Sequence, residues 1–184
     1  MNTLFIDKEI KYHGYELSPH WIYKNFKQKG DSIVAFVGEC EVKLTEMVDI
    51  EDVINNEPIY SKLMLSFISE QFGIELTEGV FRQRLLMCII KELLEERGIF
   101  VKRNGDDLIV NGGKLSVSIA TKSVTSILIH TGLNIISEGA PVKASGLKSE
   151  MGIENIKEFA LEVMKRYSEE IEDIKLAATK VRGV

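Results

Sequence analysis

The chemistry-bearing residues of this chain concentrate in the stretch 105–121, GDDLIVNGGKLSVSIAT. Asp106 and Asp107 open a short apolar run, Gly112 and Gly113 interrupt it, and Lys114, Ser116 and Ser118 follow at alternate positions. A strand sends alternate side chains to one face, so the spacing predicts that Lys114, Ser116 and Ser118 point together, with Val117 and Ile119 turned into the core. A cation beside two hydroxyls suits a carboxylate or phosphate oxygen. Two adjacent carboxylates raise one another's pKa or recruit a cation. The same spacing also describes the solvated face of an edge hairpin, whose lysine discourages edge-to-edge pairing.

Other candidates carry two readings each. EMVDIEDV places Glu46, Asp49, Glu51 and Asp52 close together. They are either a helix start capped by Asp49, or a divalent-metal or ammonium site opposite Lys114. His130 lies inside an apolar run and is a satisfied core histidine or a general base. Cys40 and Cys88 form no CxxC motif, and His13 and His20 have no partner at ligand spacing. Neither a zinc site nor a disulfide framework follows, and no metal ligands are assigned.

These residues need elements to position them. Residues 1–10 read as a short strand and a turn. GYELSPHWIYKNF reads as a helix entered through Ser18 and Pro19. DSIVAFVGECEVKL alternates and is rich in Val and Ile, which predicts a strand bent at Gly38. SKLMLSFISEQFG is long enough for a helix, but Leu63, Leu65 and Phe67 alternate, which favours a strand. From Thr77 to Arg97, Phe81, Leu85, Cys88, Ile89 and Leu93 fall on one helical face, and Gly98 stops the helix. IFVKR is a further strand. Residues 106–121 form a β-hairpin turning at Gly112-Gly113, which supplies the positive φ a tight turn needs. TSILIHTGLNI is apolar almost throughout, so it is a strand buried on both faces. SEGAPVKASG is a loop, and Ile156, Phe159, Ala160, Val163, Met164, Tyr167, Ile171 and Ile174 mark a long amphipathic helix. The expected fold is α+β, a mixed and mostly antiparallel sheet flanked by helices. Residues 1–184 are read as a single domain.

Composition limits the function classes. The chain has 184 residues, 45% hydrophobic and 28% charged, with a net charge of −5. That balance belongs to a globular protein, and it gives bulk electrostatics no means to hold nucleic acid. The first ten residues mix acid and base without a long apolar core, and no apolar run is long enough to span a bilayer. A cytoplasmic protein without membrane or nucleic-acid partners is the expectation.

The block GDDLIVNGGKLSVSIAT followed by SILIHTGLNI resembles the central block of the biotin and lipoyl protein ligase superfamily. There an Asn-Asp-Leu segment, a strand, a glycine-containing turn, a catalytic lysine and a glycine-bearing strand follow one another. The helix FRQRLLMCIIKELLEERG, the segment LKSEMG and the last helix also resemble their counterparts, so the likeness covers about residues 61 to 165. It implies a fold related to class II aminoacyl-tRNA synthetases. Lys114 would contact an acyl carboxylate and an adenylate phosphate, with Asp106, Asp107, Gly112, Gly113, Ser116, Ser118, His130 and Gly132 around the ligand. ATP or another nucleotide with Mg²⁺ would be the cofactor.

The chain also departs from that pattern. Asp106 stands where Asn is usual. Neither the Gly-Arg-Gly-Arg-type loop of biotin ligases nor the Arg-Arg-x-x-Gly-Gly-type loop of lipoate ligases is present. The corresponding region is FVGECEVKLTEMVDIED, acidic and poor in Arg. Octanoyl transferases carry a nucleophilic Cys before the last helix, where this chain has PVKASG with Ser145. Three functions stay open: an acyl or adenylate transferase acting on a small carboxylic acid, a noncatalytic carboxylate- or nucleotide-binding module, and a self-associating interaction protein that forms a homo-oligomer.

Overall fold

A computed structural model describes all 184 residues. Its centre is a five-stranded sheet built from β1 (Asn2–Ile6), β2 (Ser32–Val42), β3 (Ile59–Phe72), β7 (Ser116–Lys122) and β8 (Ser126–Asn134), ordered β1-β2-β3-β8-β7. β1 runs parallel to β2 and every other pair is antiparallel, as the sequence predicts. Three short strands, β4 (Lys102–Asn104), β5 (Asp107–Val110) and β6 (Gly113–Lys114), form a second sheet.

The central strands bury both faces, and their period-two pattern sorts side chains into two cores. Ile33, Ala35, Leu65 and Phe67 face α3 (Leu76–Glu95) and α4 (Ile156–Ala177) in the larger core. Val34, Phe36, Met64 and Ile68 face the other way, where the short α1 (Trp21–Phe26) contributes Ile22 and the preceding loop contributes Tyr12 and Leu17. The long helices therefore cover one face. The opposite face has only thin cover, which leaves room for a cleft. β8 is buried along nearly its whole length, as its unbroken apolar run requires.

Several local expectations are corrected. α1 begins at Trp21 with His20 at its N-cap, and Ser18 supplies only a carbonyl, 3.1 Å from the Trp21 amide. The buried carboxylate of Glu70 accepts the His20 amide at 2.8 Å and does the work expected of a Ser18 hydroxyl. The IFVKR strand is short, because only Lys102–Asn104 pairs, and Phe100 is exposed. Downstream of β2, a single 3₁₀ turn at Leu44–Glu46 leads to α2 (Ile50–Asn55), whose N-cap Asp49 accepts the Glu51 amide. The capped turn read in the sequence is therefore present.

The hairpin expected over 106–121 is split. β5 returns through β6, with Val110 opposite Gly113, so the turn residues are Asn111 and Gly112, one position earlier than expected. Both have positive φ, 51° and 73°, the conformation that an Asn-Gly hairpin turn supplies. After Lys114 the chain leaves the small sheet, passes through Leu115, and joins the main sheet as β7. That break shifts the alternation by one. Val117 and Ile119 pack against the smaller core, as expected, and the shift puts them on the cleft floor on the same side as Lys114.

Candidate functional site

The cleft lies on the thinly covered face, beside the β7 edge of the main sheet, and has a volume of about 180 Å³. Its floor is apolar and aromatic: Val117 and Ile119 from β7, Leu17 and Tyr12 from the N-terminal loop, and His130 from β8. Its rim is acidic, with Glu46, Asp49, Asp52, Asp106 and Asp107 around the single lysine Lys114. A second cavity of about 340 Å³ lies under the loop that carries Pro141 and Val142. The two cavities share Asp52, Ile59, Lys114 and Val117, so Lys114 stands at their junction.

Local structure fixes the lysine there. The Lys114 amide donates to the Lys143 carbonyl at 2.9 Å, and the Lys114 carbonyl accepts from the Ser145 amide at 3.0 Å and from Asn134 Nδ2 at 3.2 Å. β6 is thus held between β5 on one side and residues 143–145 on the other. The ammonium meets Asp107 Oδ1 at 2.9 Å, with both side chains more than a third exposed.

The two adjacent aspartates have separate surroundings. Asp106 is tied to α3: its Oδ1 accepts from Arg84 at 2.6 Å and its Oδ2 from Gln83 at 3.1 Å. Burial nevertheless raises its pKa, against the pull of Arg84 and with Asp107 adding to the rise. Asp52 is also raised, first by burial and then by its neighbour Asp49, with Lys114 opposing. Glu46, Asp49 and Asp52 take part in none of the ion pairs of the fold, although Asp49 caps α2, Glu46 meets the Tyr15 hydroxyl and Lys114 acts on Asp52.

The hydroxyls are largely committed to the protein. Ser118 lines the cleft, yet its Oγ is 3.0 Å from the His130 carbonyl, 2.8 Å from Thr131 Oγ1 and 3.1 Å from the donating Gln83 Nε2. Ser116 lies on the second cavity; its Oγ accepts the Leu108 amide at 2.8 Å and donates to the Asp106 carbonyl. Ser145 is buried and donates to the Val110 carbonyl at 2.6 Å. Gly112 is at the exposed turn, Gly113 is packed on Ala144 and Ser145, and Gly132 is packed under Met64 and Val117. The structure therefore brings Asp106, Asp107, Lys114, Ser118 and His130 into one cleft. It places Ser116 on the adjoining cavity, and the three glycines beneath or outside both.

Sequence reasoning missed Tyr12. Its loop, KYHGYELSP, has no periodicity to read; a bridge to Cys40 and hydrogen bonds to Glu39 and Glu41 carry it to β2. The Tyr12 ring is 96% buried and stacks on His130 with centroids 3.9 Å apart. Burial pushes its phenol pKa up, so the hydroxyl stays protonated. Burial likewise pushes the Cys40 thiol up to about 12, which leaves it a small apolar filler. No cysteine lines either cavity, and the hydroxyls of Ser116 and Ser118 are held by the protein itself.

Burial lowers the His130 pKa to about 3, so the imidazole is neutral in the fold and protonates near 6.5 once the chain unfolds. A depressed folded-state pKa contributes stability that is present above about pH 6.5 and is lost as pH falls toward the folded value. In urea unfolding at pH 7.5, 6 and 5, the His130 contribution should fall by up to about 1.4 kcal/mol per pH unit below pH 6.5. His130→Gln should flatten that part of the dependence. An equal slope in the variant would mean that the folded ring accepts a proton.

In fold, the structure is that of the biotin and lipoate protein ligases. It superposes on a biotin protein ligase mutant from Aquifex aeolicus in complex with biotin with a TM-score of 0.59 at 18% identity, covering 95% of this chain and 72% of that one. On a lipoate-protein ligase A bound with ATP the TM-score is 0.60 at 13% identity, covering 94% and 86%. The chain itself belongs to the family described as a domain of unknown function (DUF366), whose model matches residues 1–182. A protein of unknown function from Pyrococcus horikoshi shares 43% identity and superposes with a TM-score of 0.94, covering 100% of this chain and 98% of that one. An uncharacterized protein of Methanocaldococcus jannaschii is 39% identical over 180 residues, 95% of this chain and 81% of its own length. No helix is long and apolar enough to cross a membrane.

Proposed function

We propose that the chain binds a small carboxylic acid at Lys114 and holds it for acyl or adenylyl transfer. The observation that carries this reading is the position of Lys114 at the junction of two cavities, one floored by Tyr12, Val117, Ile119 and His130. That arrangement lets one ammonium hold a carboxylate whose chain lies in the first cavity while the second receives the activating group. The lysine stabilises negative charge on the carboxyl oxygens, and the low-lying imidazole of His130 keeps the floor uncharged.

A nucleoside triphosphate such as ATP, when bound, would supply activation of the carboxyl by adenylation. The residues present fit such a group only with a cation. The rim holds five carboxylates and no arginine, which repels bare phosphate, whereas Mg²⁺ needs only one or two carboxylates when phosphates provide the rest. Asp107, more than a third exposed and beside Lys114, is the carboxylate placed to serve. Calorimetric titration with ATP should therefore show binding with Mg²⁺ and at least a tenfold loss in EDTA. Equal affinity in both would remove the cation from the account.

The lack of arginine at the cleft also supports a second reading, in which the protein binds a carboxylate without transferring it. Release of pyrophosphate on mixing ATP, Mg²⁺ and the bound acid distinguishes the two. A self-associating protein would instead show a size that rises with concentration and no ligand-dependent change in stability.

A further inference from the structure

We propose that the acid bound at Lys114 is an amino acid in the broad sense: a carboxylate whose chain carries a protonated amine, held by Asp52 and its acidic neighbours with the Tyr12 hydroxyl. This inference rests on the carboxylate reading of Lys114 and adds the substrate class.

Two independent observations support it. The first is charge. Of the five rim carboxylates, Asp106 is paired with Arg84 and Asp107 with Lys114. Glu46, Asp49 and Asp52 remain without a cation, on the side of the cleft built by the 3₁₀ turn and α2. A plain acyl chain would leave these charges facing apolar atoms across a partly desolvated cleft, which costs free energy. An ammonium on the chain turns the same charges into attraction, and charge-assisted hydrogen bonds to carboxylates are among the stronger ones. No three acidic, histidine or cysteine side chains converge closely enough to hold a metal ion. Carboxylates spread around a cleft match an organic cation better than a bare one.

The second observation is Tyr12. Its side chain is 96% buried in the cleft wall. Its ring is fixed by the stack on His130, and its backbone by hydrogen bonds to Glu39 and Glu41. Yet its hydroxyl has no partner in the protein, while no fully enclosed side-chain nitrogen or oxygen is left unsatisfied. The hydroxyl therefore opens onto the cleft. A phenylalanine would fill the same volume, so the fold itself makes no use of this hydroxyl, which stays open to whatever enters the cleft. A hydroxyl kept there suits a ligand that donates to it, as an ammonium does.

The test uses matched probes on the full chain at pH 7.5: unbranched ω-amino acids of four to eight carbons, the plain carboxylic acids of the same lengths, and the corresponding alkylamines. Affinities are read by isothermal calorimetry or ligand-observed NMR up to 20 mM. The expected result is that, at one or more lengths, the amino acid binds at least tenfold more tightly than the plain acid. Asp52→Asn should erase most of that preference, while plain-acid binding is unchanged or stronger because a repelling charge is gone. Tyr12→Phe should weaken the amino acid about three- to tenfold without lowering the melting temperature, because the hydroxyl it removes bonds nothing in the protein. Plain acids that bind as well as amino acids at every length, with both weakened by Lys114→Ala, would overturn the amine inference and leave the carboxylate reading standing. Alkylamines that bind as tightly as the amino acids, with no effect of Lys114→Ala, would overturn the carboxylate reading and keep the amine site. No binding by any probe would overturn both. A Tyr12→Phe protein with a lower melting temperature would show that the hydroxyl serves the fold, against the inference.

Discussion

Gly38→Ala is expected to destabilise the fold by about 3 kcal/mol, the upper part of the range for overpacking. A Cβ at this position would stand 2.0 Å from the Ile10 carbonyl oxygen and 2.6 Å from its carbon. These are backbone atoms, so no rotamer change relieves the overlap. The close approach exists because the segment from Ile10 to Tyr12 hydrogen bonds along β2, Ile10 to Val37 and Tyr12 to Glu39. β2 itself shifts register between Gly38 and Cys40 to receive it. The substitution therefore strikes both the sheet and the path that brings Tyr12 to the cleft. Urea unfolding measures the first effect, and loss of ligand binding in the fraction that still folds measures the second. A midpoint within the equivalent of 0.5 kcal/mol of the parent protein would mean that the segment stands off from β2.

Lys114→Ala is expected to do the reverse, leaving stability nearly intact while weakening carboxylate binding at least tenfold. Its ion pair with Asp107 is more than a third exposed on both sides, and such pairs contribute between about 0 and 1 kcal/mol. The hydrogen bonds that hold residue 114 in place come from its backbone, and alanine keeps them. The ammonium is the only cation among the residues of either cavity. Its removal should cost a carboxylate ligand at least tenfold in affinity. Lys114→Arg keeps the charge but replaces a compact ammonium by a planar fork, so it should recover part of the binding. A loss of several kcal/mol of stability in the alanine variant would identify Lys114 as a structural ion-pair partner.

The frame of the fold was readable because its signals are periodic. β2, β3 and β8 alternate or run apolar without a break, and α3 and α4 repeat every three to four residues, so the elements and their two cores were legible. The face of α3 is nevertheless rotated from the one read: Leu86, Met87 and Ile90 are buried with Ile89 and Leu93, while Phe81 is exposed and Leu85 and Cys88 are only partly buried. The turn was misplaced by one residue although its signature was present: Asn111-Gly112 is an Asn-Gly pair, and asparagine tolerates positive φ better than most residues. The placement of Val117 and Ile119 on the same side as Lys114 had no signature. It arises where the chain passes from one sheet to the other at Leu115, and alternation within a strand carries no mark of such a crossing. The acids of EMVDIEDV were readable as a group: Asp49 caps α2 as the helix-start reading has it, and Glu46, Asp49 and Asp52 line the Lys114 cleft while Glu51 does not. Tyr12 was not readable, because a loop residue gains its role from the strand it is pinned against. Ser116 and Ser118 show the opposite case. Their types and spacing suit an anion site, but the structure spends their hydroxyls on the main chain, Thr131 and Gln83.

The central claim is that Lys114 holds a carboxylate. It is tested most directly by ligand-observed NMR of a panel of plain and amine-bearing carboxylic acids with the parent protein and with Lys114→Ala side by side, after urea unfolding has shown the two to be equally stable. The account predicts acids that bind the parent and lose at least tenfold in affinity for the variant, with the largest losses among the amine-bearing ones. Acids that bind both proteins equally, or a panel that binds neither, would contradict it.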